Sequence, residues 1–229
     1  MPSLLTGSLR CDKIKIRRLN VVSGCRDLSF CIESEMENLL NVCLGIGLSA
    51  ACGFRVFIPL LVMSIASLSG HLALSPGFQW IGTYPAFMVF AIASALEIAA
   101  YYIPWVDNLM DSIAGPAAVI AGVLVAASSI IHMDPLLKWS LAIIAGGGTA
   151  AIFHSSTTLV RGASTALTGG IGNHAVATAE LGIAAGLSIL AIALPLLSII
   201  VIVVLVLFLT RKGFQKLVKS KRTGRVSPQ

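Results

Sequence analysis

The residues that could do chemistry here are charged and hydroxyl side chains set inside apolar sequence. Glu97 stands well within one apolar stretch, with Ser94 and Tyr101 on the same helical face at i−3 and i+4. Glu180 stands in a later stretch, Arg55 interrupts the first, and His154 and Arg161 share a face of another. A charge at the centre of a span costs about 2.5–3.5 kcal/mol on insertion scales, so each is expected to face a partner or a watery cavity. For Arg55 and Glu97 two readings stand: an ion pair that locks two helices, or a site for a solute or a proton. His154, Thr158, Arg161, Ser164 or Thr165, and Thr168 recur at steps of three or four, which makes one polar stripe. That stripe either lines a cavity or hydrogen-bonds to neighbouring helices.

The run Gly169-Gly170-Ile171-Gly172-Asn173 precedes a helical pattern, so its free N–H groups and Arg161 could hold an anion. A plain flexible turn is the alternative. No Gly-Lys-Ser/Thr follows and no strand precedes, which excludes a nucleotide loop. Asp107 and Asp111, spaced i, i+4, are secondary candidates for a cation. Acids at a helix start are also favoured by its dipole, and two carboxylates without a third oxygen ligand are a poor metal site. The candidate solute-binding set is therefore Arg55, Glu97, His154, Arg161, Ser164, Thr168, Asn173 and Glu180, with no metal and no cofactor expected. Catalysis is not expected either, because the chain lacks a His-Glu-x-x-His pair, a Gly-x-Ser-x-Gly elbow and any multi-histidine ligand set.

These residues need elements to carry them, and composition says what kind. Hydrophobic residues are 56% of the chain and charged residues 11%, and the mean hydropathy is +0.91. Soluble domains carry about 25% charged residues, so this chain could not cover a water-facing surface. The expected fold is all-α, a polytopic integral membrane bundle. Residues 39–69 are apolar but interrupted by Gly53-Phe54-Arg55 and Pro59, which predicts a broken or steeply tilted helix. Ser69 to Tyr84 reads as a loop with interfacial Trp80 and Tyr84. Further spans follow at about 85–103, 113–131 and 136–161, the last extended to Thr168. Residues 175–210, divided by Pro195, read as two more. The total is six with both ends cytoplasmic, or five with the N-terminus outside.

Charge is concentrated at the ends. Six of the sixteen Lys/Arg lie in residues 1–35 and seven from Arg211 to Arg225. Residues 1–35 read as a polar leader, disordered or preceding the true start at Met36, although Lys13 to Arg18 could lie on a membrane surface. Residues 36–210 form the transmembrane domain. Residues 211–229 form a basic cytoplasmic tail whose partner is anionic lipid headgroups rather than nucleic acid. The five cysteines form no framework.

Shifting the sequence by 100 residues places Gly47, Ala50, Ala51, Ser64, Ala66 and Gly70 on Gly147, Ala150, Ala151, Ser164, Ala166 and Gly170. Each half then has a lone glutamate in its next span. With three helices per half, about 39–131 and 136–210, the halves would be inverted repeats with interrupted helices around Gly53–Pro59 and His154–Arg161. Coincidence of composition is the alternative.

The same residues carry a resemblance. Gly47-Leu48-Ser49-Ala50-Ala51-Cys52-Gly53-Phe54-Arg55 with Pro59, Glu97, and Pro104-Trp105-Val106-Asp107 form its first half. Arg161-Gly162-Ala163-Ser164-Thr165, Thr168-Gly169-Gly170-Ile171-Gly172-Asn173, and Glu180 form its second. Over about residues 38–210 the chain resembles a bacterial integral membrane family catalogued as domain of unknown function 4126. Tyr101-Tyr102 stand where that family often has a charged residue. The resemblance implies a multi-pass protein of the bacterial cytoplasmic (inner) membrane, and no activity, substrate or cofactor.

Two functions fit these observations: a small secondary transporter or permease for an ion or small polar solute, and a non-catalytic membrane scaffold. Glycine-smooth helix faces suit assembly, and a homo-oligomer is left open.

Overall fold

The computed structural model describes residues 21–101, 103–169, 171–207 and 211, without the side chains before Glu33 and those of 104–112. The Lys13–Arg18 segment and the basic tail beyond Arg211 lie outside the described residues. Two units are distinguished, residues 1–37 and 38–229. In the first, helix begins at Val21, so residues 21–35 are helical where the sequence reads as an unstructured leader, and residues 33–37 are exposed.

The described elements are helical throughout. They are α1 (Val21–Phe54), α2 (Phe57–Leu68), a 3-10 segment (Pro76–Gly82), α3 (Tyr84–Ala100) and α4 (Pro104–Ser129). Then come α5 (Pro135–Leu141), a π-helical segment (Ala142–Gly147), α6 (Gly148–Thr168) and α7 (Asn173–Ala193), and last α8 (Pro195–Leu207). Proline opens several of them, at a position where its missing N–H removes nothing. Asp134 caps α5 by accepting from the Leu136 N–H at 3.0 Å.

The interruption at Arg55–Val56 is a reversal rather than a kink. On α1, a Cβ at Gly47 would touch Ala191, whereas Arg55 reaches the Ala177 carbonyl, so α1 runs antiparallel to α7. On α2, Val62, Ile65 and Ala66 share an apolar groove with Ile189, Ile192 and Ala193. The chain has returned to the end it left, and α1–α2 is a helical hairpin with Arg55 at its tip. This corrects the single tilted or broken helix expected for 39–69. Gly53 and Pro59 mark where a helix stops, but nothing local sets the angle at which the next one starts. A second reversal lies at Leu194–Pro195. Gly47 lies beside both Ala191 and Ser198, while Ile202 packs with Leu187 and Ala50. Leu194 leaves helical backbone there, at φ −141° and ψ 75°.

Close approach holds the bundle together. Ser49 Oγ donates to the Gly122 carbonyl at 2.8 Å. A Cβ added at Gly146 would meet Ala126 Cβ at 2.6 Å and the Gly122 oxygen at 2.8 Å. The small residues of the π segment thus let α4 and α1 come to backbone contact. Gly148, two residues on, faces open space. Gly146→Val should therefore destabilise the protein by about 1–3 kcal/mol through overpacking. Gly148→Ala should instead stabilise by about 0.5–1 kcal/mol through helix propensity. Thermal unfolding in detergent checks both, and similar melting temperatures for the two variants would refute this packing.

Among the described residues three helices are long and apolar enough to cross a membrane, Glu33–Phe54, Pro135–Thr168 and Asn173–Ala193. A fourth span results if the 3-10 segment and α3, bent by 66°, count as one. These apolar helices are those of a membrane protein. Their outer faces carry Leu136, Ile144, Leu159 and Leu167, all strongly exposed. The count is below the expected six because the apolar part of α4 (Ile113–Ser129) and α8, as described, have 10–17 residues, and ~20 are needed to cross. The expected break around His154–Arg161 is also absent. α6 is continuous there, since that stretch holds no proline or glycine, and Gly162 just beyond it meets no neighbour that would force a kink.

Candidate functional site

The hairpin brings Arg55 to the C-terminal end of α3, and α6 and α7 bring a second arginine and a second glutamate to the same place. Arg55, Glu97, Tyr101, Arg161 and Glu180 are all buried. Each is where it is for a local reason. Arg55 follows the last residue of α1, its N–H closing that helix on the Ala51 carbonyl at 3.1 Å. The next two residues begin α2 and have N–H groups with no partner within the helix. Glu97 supplies both: its Oε1 accepts from the Val56 N–H at 2.8 Å and its Oε2 from the Phe57 N–H at 3.1 Å. A carboxylate is thus held at a helix N-terminus, where the dipole favours it.

On the opposite side, Arg161 Nε donates to Glu180 Oε1 at 3.0 Å, and its Nη2 donates to Glu180 Oε2. This is the two-pronged arginine–carboxylate pair, the strongest form of side-chain ion pair. Arg55 Nη2 lies 4.0 Å from Glu180 Oε2 and donates to the Ala177 carbonyl at 2.9 Å. The Tyr101 ring lies against both guanidinium groups. Its centroid is 3.8 Å from Arg55 Cζ and 4.1 Å from Arg161 Cζ. An aromatic face attracts both cations and holds them near one another at reduced repulsion.

The expected Arg55–Glu97 ion pair is therefore not the one that forms. Glu97 is taken by backbone amides, and Arg55 pairs with Glu180. The reason is the reversal, which frees two N–H groups at the place where Glu97 arrives. Two donors of Arg55, Nε and Nη1, are buried without a hydrogen-bond partner, and so is the Ser94 hydroxyl one turn before Glu97.

The polar stripe of α6 divides. Arg161 alone among its named members is buried. Thr158 donates to the His154 carbonyl, Thr165 to that of Arg161 and Thr168 to that of Ser164, each within the helix. A threonine hydroxyl finds its own i−4 carbonyl first, and the stripe reaches α7 through Arg161 to Glu180 and Thr165 to Asn173. His154 sets its ring against Gly115 of α4. The Gly169–Asn173 turn is occupied by its own helix ends. Gly169 adopts a left-handed φ of 64° and donates to Thr165. Thr168 Oγ1 accepts from the Gly172 N–H, Ser164 Oγ faces Gly172, and Asn173 Nδ2 donates to Thr165 Oγ1. Arg161, the cation that could have joined this turn in holding an anion, pairs with Glu180, and Gly170 lies outside the described residues. Asp107 and Asp111 fall in the first turns of α4, where side chains are not described. Among the described residues no group of three or more His, Cys, Asp or Glu could hold a metal.

Tyr101 is the member of the site that the residue pattern did not put forward. Its one signal was position, at i+4 from Glu97 and at a place where the resembled family often carries charge.

The family model described as Domain of unknown function (DUF4126) matches residues 42–213, most of the chain, and includes every residue of the site. The chain belongs to this family. No curated protein and no solved structure matches it.

Proposed function

We propose that this member of the DUF4126 family is a small secondary transporter for an ion or small polar solute, with the Arg55–Glu97–Tyr101–Arg161–Glu180 cluster as its coupling site. The observation that carries the reading is the place of the cluster. Two arginines and two glutamates are buried at a helical hairpin tip, inside a protein whose outer surface is apolar. Charges retained in such a setting mark solute and proton pathways more often than they add stability. The two glutamates enter on helices of opposite direction, α3 running toward the tip and α7 away from it. This supports the inverted relation between the halves, even though α6 is unbroken. The bilayer is the bacterial cytoplasmic membrane, with the basic tail on the cytoplasmic side.

Purified protein in liposomes tests the proposal. Solute uptake or proton movement is expected, and to fall about tenfold or more in Glu97→Gln and Arg161→Ala, the equivalent of about 1.4 kcal/mol of barrier stabilisation. Folded variants that match the wild type across a solute panel would count against transport. They would favour the second reading, a membrane scaffold, which rests on the backbone-level packing of α1, α4 and the π segment. A stoichiometric partner captured from native membranes would support that one.

A further inference from the structure

We propose that Arg55 is the binding residue for a small monovalent anion, an inference that deepens the transport reading and rests on it for its role. The donors of the cluster are unevenly used. Glu97 has both oxygens on backbone N–H groups, and Glu180 has both on Arg161. Arg55 is 2% exposed, and makes one hydrogen bond, from Nη2 to the Ala177 carbonyl. Its nearest carboxylate oxygen is at 4.0 Å, beyond hydrogen-bond reach. Nε and Nη1 have no partner at all. A cation's N–H groups buried in this way are costly unless some state of the protein supplies an acceptor. The Tyr101 ring covers one face of the guanidinium without accepting from its edge.

The ligand's chemistry follows from this arrangement. It must accept hydrogen bonds from a guanidinium, which calls for an anion. It must be small, because Nε and Nη1 are closed off from solvent. It is monovalent because, of the two described guanidiniums, Arg161 is already committed to Glu180. Halide, nitrate and formate meet these terms; gluconate is too large.

The test uses the full chain in detergent, with melting followed by tryptophan fluorescence in sodium salts of chloride, nitrate, formate or gluconate at constant ionic strength. At least one small anion is expected to raise the melting temperature saturably over gluconate, as ligand linkage requires. Arg55→Lys keeps the charge but lacks Nε–H and Nη1, and should shift the midpoint about tenfold or more to higher concentration, about 1.4 kcal/mol of lost binding. A wild-type melting temperature that is the same in all four salts overturns the site, and that measurement stands even if Arg55→Lys does not fold. An Arg55→Lys response equal to that of the wild type also overturns it. Saturable anion stabilisation without flux in liposomes removes the transport reading and leaves the site. Flux without anion stabilisation removes the site and leaves transport.

Discussion

Glu180→Gln is expected to lower the stability of the folded protein by about 3–5 kcal/mol, the cost of removing one partner of a buried ion pair. Glutamine keeps the shape and one acceptor, so the contact from Arg161 Nε, 3.0 Å in the wild type, can persist. The other oxygen becomes an NH2 that faces Arg161 Nη2, donor against donor. The larger loss is charge. Arg55 and Arg161 both lie over one tyrosine ring, and Glu180 is the carboxylate that both approach. Without it, the remaining carboxylate described in the cluster is Glu97, which is bound to the amides of α2. The two buried guanidiniums beside Tyr101 then repel with less compensation. Ser155→Ala is the comparison, since Ser155 is exposed and bonds only within its own helix; its effect should lie within about 0.5 kcal/mol. Thermal or denaturant unfolding in detergent measures both. A melting temperature for Glu180→Gln as close to wild type as that of Ser155→Ala would show that Glu180 does not hold the two arginines together.

Glu97→Ala is expected to cost about 2–6 kcal/mol by a different route, because it leaves two buried N–H groups without acceptors at about 1–3 kcal/mol each. Val56 and Phe57 both donate to Glu97, which is itself buried. An ordinary N-cap loss at a helix exposed to water costs about 0.5–2 kcal/mol, so burial sets the larger figure. Glu97→Gln separates the two functions of the residue. One side-chain oxygen still accepts, which should restore about 1–3 kcal/mol relative to alanine, while the charge is gone. Hydrogen exchange localises the effect: the first amides of α2 should exchange faster in Glu97→Ala, with α7 little changed. Equal exchange of Val56 and Phe57 in wild type and Glu97→Ala would refute the capping role.

Much of this was legible in the residues themselves. Arg55, Glu97, Arg161 and Glu180 were singled out because each is a charge in apolar sequence, and all four belong to one cluster. Their partners were not legible. Opposite charges inside apolar stretches made an Arg55–Glu97 pair one of two readings, yet the contact that forms is between Glu97 and the backbone, a group that every residue carries and that no pattern marks. The hydroxyls of α6 mimic a functional stripe at helical spacing, and only their local hydrogen bonds show that they serve their own helix. Tyr101 was noticed for its place on the face of Glu97. Its contact with two guanidiniums depends on α1 and α6 both reaching it.

What the chain settles by itself is where it prefers lipid to water, which residues are too costly to leave there alone, and where helices must stop. Those are sums over neighbouring residues, and transfer energies add locally. Whether a stop becomes a kink or a reversal is decided elsewhere. Gly53, Arg55 and Pro59 end one helix and begin another, but α2 turns back because α7 offers a groove along Val62, Ile65, Ile189 and Ile192 and Glu97 offers acceptors for the amides freed at the turn. Both lie tens of residues away in the chain. Ion pairing in low dielectric falls off with distance and depends on direction, so Arg161 meets Glu180, and Arg55 is left with donors to spare, only once the bundle has closed.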